Sequence, residues 1–450
     1  MNNNPAVKTF LSATIVLFVL LLATGALTYL IPAGEYDPAT GIYTQLDQEG
    51  LSPLVWLSAP ITVLFSDSGP LVIAIIIFLL IIGGSIHVLK EIGIIRDIIV
   101  AIVNRYGNRE GLLMAIIIFL FMAIGAFIGV FEEIVPLVPM IILLSRAMGW
   151  DELTGLGMSV LASGLGFAAA VTNPFTIGVA QQLADIPLFS GALLRVFVFI
   201  SVYITLFLFL YKRSKKLVGE KIAPNLDLEK KLPQKIFTYF ISVMVVMFLV
   251  IGLSPFLKII SDISLPLIGL FFLVAALGSG LMSDNKTAWV FRQFWIGIRD
   301  MLPAIILVLL ATGIKQIMIE GQILGTVLFK TSTILSTMSP SVAVMLIFGL
   351  VMLMNFFIGS GSAKAFILMP LIIPISDMLG IGRQLGILAF QFGDGFSNVL
   401  YPTNAVLLIA LSLSQVSYSK WFRFVLPLQI FLIILSIIWI YIAYMIGYGL

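Results

Sequence analysis

Gly359-Ser360-Gly361-Ser362-Ala363-Lys364-Ala365 sets a lysine between two apolar segments, Val342 to Ile358 and Phe366 to Met378. Sixty per cent of the 450 residues are hydrophobic and a tenth are charged. Apolar runs of about twenty residues recur along the chain, long enough to cross a hydrocarbon core of ~30 Å. A transmembrane β-barrel would instead alternate over ~10-residue segments, and a soluble protein of this length would need more charge to cover its surface. The chain therefore reads as an all-α polytopic membrane protein. A lysine at membrane depth is costly unless it has a partner or a task, which makes the glycine-serine stretch a candidate for the working part.

A second apolar hairpin, Leu112 to Ile128 and Ile134 to Met148, carries Gly129-Val130-Phe131-Glu132-Glu133 at its tip. Sliding the chain by 231 residues superimposes Pro139 on Pro370, Ser145 on Ser376, Gly149 on Gly380, Gly155 on Gly386, Gly164 on Gly395, Thr172 on Thr403 and Asn173 on Asn404. Chance matching of Leu/Ile-rich helices does not readily align Gly, Pro, Thr and Asn together. The same offset sets Glu133 against Lys364, opposite charges at equivalent positions. The chain thus divides into a first repeat, 1–211 (hairpin 112–148, broken helix 155–183), a basic loop with a linking helix, 212–264, and a second repeat, 265–450 (hairpin 342–378, broken helix 385–413).

Charge sets the orientation. The segment from Pro32 to Pro53 holds Glu35, Asp37, Asp47 and Glu49 with no Lys or Arg, whereas Lys212, Arg213, Lys215, Lys216, Lys221, Lys230, Lys231 and Lys235 share one loop. Basic loops lie in the cytoplasm, so the amino terminus is expected inside. The apolar run from Phe10 to Ile31 is too long for a signal peptide and reads as a retained helix. About nine spans and two re-entrant hairpins result. The first hairpin enters from inside and the second from outside, the inverted arrangement that many secondary transporters use.

Two further segments carry the chemistry. Val171-Thr172-Asn173-Pro174-Phe175-Thr176 and Tyr401-Pro402-Thr403-Asn404-Ala405 each interrupt an apolar run. Proline removes a donor and clashes with the preceding turn, and open backbone at membrane depth needs protein or a watery cavity to satisfy it. Freed carbonyls with Thr and Asn oxygens can hold Na⁺, near Asn173 and Asn404. Half-helix amino termini present N–H groups to a carboxylate, as the nest at Gly359, Ser360, Gly361 and Ser362 does. Substrate candidates are then Ser360, Gly361, Ser362, Lys364, Glu132, Glu133, Thr172, Asn173, Thr403 and Asn404. Candidates for coupling to Na⁺ or H⁺ are Asp394, Gly129, Gly359 and Thr176. Lys364 either meets substrate, stands in for a coupling cation or pairs with Glu133. Without cysteine and with one histidine, His87, the chain has no thiolate metal site and no Ser-His-Asp triad; His87 reads as a packing residue. No GxxxxGK[ST] loop is present, which speaks against an ATP-driven pump. An enzyme is not expected, nor a resident cofactor or a nucleic-acid partner.

Gly359 to Pro370 (GSGSAKAFILMP), Phe390 to Asn404 (FQFGDGFSNVLYPTN), Pro32-Ala33-Gly34-Glu35-Tyr36 and Phe131 to Pro139 together resemble the YfcC-like branch of the C4-dicarboxylate anaerobic carrier (DcuC-like) family. The resemblance covers nearly the whole chain and implies the ion transporter superfamily fold: a homodimer in the bacterial inner membrane with a scaffold and a mobile transport domain, working as an elevator. Sodium-dicarboxylate members carry Ser-Asn-Thr at their hairpin tips, where this chain has Phe131-Glu132-Glu133 and Ser360-Gly361-Ser362. The expected function is a secondary carrier, symporter or exchanger, of a small carboxylate-bearing metabolite, foremost an amino acid or related organic anion. The alternatives are a C4-dicarboxylate carrier, a basic amino-acid antiporter, as some members of this branch are described, and a channel.

Overall fold

The computed structural model describes residues 5–37, 40–129, 131–217, 232–252, 263–335 and 337–449; within these ranges the side chains of 5–13, 133, 251–252 and 264–265 are not described. Lys221, Lys230 and Lys231 of the basic loop lie outside the described residues, as does the Glu133 side chain. The fold is mostly helical. Among the described residues six helical segments are long and apolar enough to cross a membrane: Gly69–Glu91, Glu110–Ile128, Ala192–Ser214, Thr287–Glu320, Gly361–Met378 and Tyr418–Met445. Shorter apolar helices include Ile134–Ala147, Gln234–Val250, Pro340–Asn355 and Ala405–Ser414.

Glycines decide how closely the helices of the first group approach. The Gly69–Glu91 helix packs against Thr287–Asp300 and Ser264–Leu281. A Cβ on Gly83 would lie 2.7 Å from the Gly297 carbonyl oxygen, and one on Gly297 would lie 2.3 Å from that of Gly83. Small residues let backbones touch where hydrophobic driving force between helices is absent. Gly93, at φ 91°, ends the first of these helices and opens Ile94–Tyr106. The segment from Leu54 to Phe65 forms a helix, Pro53–Thr62, and a short turn, and the helix packs on Leu302–Glu320. The acidic segment adds one departure from all-helix. Gly34–Asp37 pairs antiparallel with Ile42–Gln45, and the Tyr43 ring stacks on Phe329 with centroids 4.4 Å apart.

The second group holds both hairpins and both interrupted helices, flanked by Ala192–Ser214 and Tyr418–Met445. After each hairpin the chain turns in the same way. Gly149 (φ 79°) and Gly380 (φ 65°) adopt the left-handed conformation. The Trp150 N–H donates to the Ser145 carbonyl at 2.9 Å, and the Ile381 N–H to that of Ser376 at 2.8 Å. An ion pair closes each turn, Arg146–Glu152 at 2.9 Å and Arg383–Asp377 at 2.7 Å. These are matching positions at the 231-residue offset with the charges exchanged. Between the two groups lies a cavity of about 600 Å³, lined by His87, Lys90, Arg299 and Asp300 on one side and by Arg146 and Tyr418 on the other. His87 Nε2 lies 3.2 Å from Gln293 Oε1.

Asp151 fixes the first turn to the flanking helix. Its carboxylate accepts the Thr154 N–H at 3.0 Å and the Thr154 hydroxyl at 2.7 Å, and it pairs with Arg213. Partial burial pushes the Asp151 pKa up, but the Arg213 and Thr154 bonds together outweigh it and hold the carboxyl below its ordinary 3.8. A carboxyl depressed on folding stabilises the fold above its ordinary pKa, and that contribution is lost as pH falls through the depressed value. Asp151→Asn is expected to cost about 1–3 kcal/mol at neutral pH, read as a lower melting temperature in detergent. The gap from the unsubstituted chain should narrow once pH drops below 3.8.

Candidate functional site

The helix after the second tip begins at Gly361 rather than at Phe366. The apolar pattern misses this first turn because its polar residues are satisfied locally. The Ser360 hydroxyl accepts the Ala363 N–H at 3.4 Å, a helix cap. Lys364 therefore sits on a helix, one turn in, and its side chain is 0 % exposed. Its ammonium donates to Asn355 Oδ1 and to Asp394 Oδ1. Among the described residues the charged partner of Lys364 is thus Asp394; the side chain of Glu133, its match in sequence, is not among them. Gly393 makes the approach to Asp394 possible. A Cβ there would lie 2.6 Å from the Phe348 carbonyl oxygen; its absence lets Arg383–Ser397 lie against Pro340–Asn355 and brings Asp394 beneath Asn355.

Asn355 organises the rest. Its amide nitrogen lies 2.8 Å from the Asp394 carbonyl oxygen, 2.7 Å from Ser397 Oγ and 3.0 Å from Asn398 Oδ1. Asn398 Oδ1 also accepts from Asn404 Nδ2 at 3.1 Å, and Asn404 Oδ1 accepts the Leu407 N–H at 3.1 Å. A run of amides thus joins the hairpin arm to the second break, where Asn404 caps Ala405–Ser414. Asn173 does the same at the first break, its Oδ1 accepting the Phe175 N–H at 2.9 Å. The Thr172 hydroxyl donates to the Phe127 carbonyl at 3.0 Å and the Val171 N–H to that of Ala126 at 2.9 Å, which splices this break to the first hairpin arm. Gly129 (φ 82°) leaves room for Asn173 there, since a Cβ would fall 2.3 Å from its Oδ1.

The two interrupted helices cross at glycines, and the contacts are reciprocal. A Cβ on Gly164 would lie 2.3 Å from Val399 Cγ1, and one on Gly395 would lie 2.2 Å from Ala168 Cα. Gly164 matches Gly395, and Ala168 matches Val399, at the 231-residue offset. Gln391 Nε2 donates to the Phe167 carbonyl across this crossing at 2.8 Å. Four buried atoms here have no hydrogen-bond partner among the described residues: Asp394 Oδ2, Gln391 Oε1, Thr176 Oγ1 and Asn173 Nδ2. Two of these residues meet at the tip helix. A Cβ on Gly361 would lie 2.6 Å from Thr176 Cγ2 and 2.9 Å from Asp394 Oδ2.

The profile of a family described as the C4-dicarboxylate anaerobic carrier matches residues 10–445. The chain belongs to this family. The chain is also 30 % identical over 398 residues to a protein of Escherichia coli K12 named "Putative basic amino acid antiporter YfcC", covering 84 % of this chain and 78 % of that one. An uncharacterised protein of Haemophilus influenzae is 23 % identical over 377 residues, 79 % of this chain and 72 % of that protein. Among solved structures, the YdaH transporter of Alcanivorax borkumensis aligns over 97 % of this chain and 99 % of its own, at 17 % identity and a TM-score of 0.48. As a member of the C4-dicarboxylate anaerobic carrier family, the chain is a multi-pass membrane protein of a transporter family.

Of the residues picked from sequence, the fold brings Lys364, Asp394, Gly361 and Thr176 to one buried point and links Asn404 to it through Asn398 and Asn355. Gly129 and Asn173 meet at the first tip. Glu132 is exposed, Gly359 is exposed on the second tip, and Ser360, Ser362 and Thr403 are half-buried. Sequence reading missed Asn355, whose signal was a lone amide closing the apolar run of Pro340–Asn355. It also missed Arg195, a buried guanidinium that donates to the Val171 carbonyl at 3.0 Å. Gly361→Ala forces a methyl between Thr176 and Asp394 and should destabilise by about 1–3 kcal/mol. Its melting temperature should fall, while Gly359→Ala, whose Cβ meets nothing within 4 Å, should leave it unchanged.

Proposed function

We propose that this family member is a secondary carrier that moves an amino-acid zwitterion by an elevator-type mechanism, and that its two halves are inverted repeats. Four kinds of matched detail support the repeat: the exchanged ion pairs, the left-handed glycines, the asparagine caps at both breaks and the reciprocal glycine crossing. Reciprocity of this kind, i against j′ and j against i′, is the mark of a two-fold relation. On this reading the helices with Gly69–Glu91 and Thr287–Asp300 form the scaffold. The hairpins and interrupted helices move, and the 600 Å³ cavity between the groups is part of the path. The amino terminus is inside, in the cytoplasmic membrane, and the carrier works as a homodimer.

One observation carries the substrate class: Lys364 and Asp394 form an ion pair at 0 % and 1 % exposure. Each charge at the centre of a membrane helix costs about 2.5–3.5 kcal/mol on insertion scales. Replacing a buried pair with well-packed apolar residues is often neutral or stabilising. The pair is therefore poorly explained as a stabilising device. Its net charge is zero, which suits a zwitterion better than a dianion. A substrate carboxylate takes the Lys364 ammonium together with the N–H groups of the tip, and a substrate ammonium takes Asp394, whose Oδ2 is already free. The ligand opens one ion pair and makes two. Ser360 and Ser362 add hydroxyls at the carboxylate side.

Purified protein in proteoliposomes tests this. Uptake of a labelled amino acid should saturate and be accelerated by unlabelled substrate trapped inside. Flux that rises linearly with concentration and shows no counterflow would make the protein a channel; saturable counterflow of succinate but no amino acid would return the dicarboxylate reading. Lys364→Gln leaves a buried carboxylate unpaired, a change worth about 3–5 kcal/mol, and should abolish uptake while the protein still inserts. Unchanged uptake kinetics would reduce Lys364 to a structural residue.

A further inference from the structure

A membrane helix broken beside Thr and Asn presents carbonyls that could ligate Na⁺. The carbonyls just before each break and the two asparagine oxygens are already engaged. At the first break the Val171 carbonyl accepts two bonds from the buried Arg195 guanidinium, from Nε at 3.2 Å and Nη2 at 3.0 Å. Arg195 is held in turn by the Phe189 and Ser190 carbonyls, at 3.2 and 2.9 Å, and by the Tyr448 hydroxyl at 3.1 Å. At the second break the Val399 carbonyl accepts from Trp421 Nε1 at 2.9 Å and the Leu400 carbonyl accepts from the Tyr418 hydroxyl at 2.8 Å. The Asn173 and Asn404 side-chain oxygens, the other expected ligands, are turned to backbone N–H groups.

The carboxylate that could balance a metal charge, Asp394, faces Lys364. An alkali ion at its free oxygen would share a single carboxylate with an ammonium, two like charges in a buried setting.

We propose that Arg195 and Lys364 are resident cations. Arg195 takes a carbonyl of the first break, and Lys364 takes Asp394 and Asn355 beside the second tip, acceptors that an alkali ion would otherwise use, so transport needs no Na⁺. Arg195 is a positioning residue: it fixes the Val171 carbonyl and with it the first break. Lys364 neutralises Asp394 whenever substrate is absent, so the empty site can cross the membrane without a metal. This rests on the carrier reading above and deepens it, because it assigns the charge compensation of the empty state to the chain's own side chains.

The test uses the full-length protein in two ways that fail separately. First, the melting temperature in detergent is measured while NaCl replaces choline chloride at constant ionic strength. No Na⁺-specific shift is expected; a saturable rise with Na⁺ and none with choline overturns the proposal, whether or not any substrate is known, since a ligand that binds only the folded state stabilises it by mass action. Second, amino-acid uptake into proteoliposomes should be the same in Na⁺ and in choline media. Saturable uptake that needs Na⁺ leaves the carrier reading standing and sinks this one. Absence of saturable uptake in both media sinks the carrier reading, while the melting arm still decides on Na⁺.

Lys364→Ala adds a gain-of-function arm. Removing the ammonium opens a cation-sized space beside Asp394, and methylammonium or Na⁺ should now raise the melting temperature of the variant where neither affects the parent. A variant that folds and responds to neither cation shows that Lys364 is not a stand-in. Should Lys364→Ala not fold, the parent's response to Na⁺ remains decisive by itself.

Discussion

The buried Lys364–Asp394 pair is the constraint on which the arrangement around it depends. Lys364 belongs to the second hairpin and Asp394 to an interrupted helix, so the pair can form only if tip, arm and helix meet at one depth. Gly393 and Gly395 make that approach possible, one against the hairpin arm and the other against Ala168 of the opposite interrupted helix. Asn355 then completes the ring, accepting from the lysine and donating toward the backbone and amides around Asp394. Removing either charge would leave its partner stranded in a low-dielectric setting, a far larger cost than the pair itself contributes. On the proposed function, the pair is the closed state that a ligand supplying both charges opens.

The breaks obey the same accounting of polar groups. Proline and the surrounding turn free carbonyls that nothing in a hydrocarbon core can satisfy. This chain answers with its own donors: Gln391, Arg195 and Thr172 on the first interrupted helix and its hairpin, and Gln429, Trp421 and Tyr418 on the second. Four of these donors, Arg195, Gln429, Trp421 and Tyr418, come from the flanking helices, Ala192–Ser214 and Tyr418–Met445, so these helices position the site although neither carries a predicted binding residue.

Much of the fold was legible because its signals are local. Apolar length marked the spans, Pro174 and Pro402 marked the breaks, and Gly149, Gly380, Asn173 and Asn404 marked turns and caps whose geometry each residue type favours. The proposed repeat rests on the same local signals recurring at one offset. What was not legible is what depends on packing between distant elements. The partner of Lys364 lies 30 residues away in sequence, on a different helix, and sequence equivalence pointed to Glu133. Nothing in the sequence singles out Arg195 near the start of a span, since its acceptor, the Val171 carbonyl, exists only once the first helix breaks. The short strand pair at Gly34–Asp37 was hidden in a segment whose polarity said only that it lies outside the membrane core.

The central claim is that a zwitterionic amino acid opens the Lys364–Asp394 pair by satisfying both charges. An experimental structure of the full chain, determined with the amino acid that most raises its melting temperature, tests it directly. The account predicts that Lys364 and Asp394 separate, with the ligand carboxylate on the lysine and its ammonium on the aspartate. A ligand bound elsewhere with the pair still closed would contradict it.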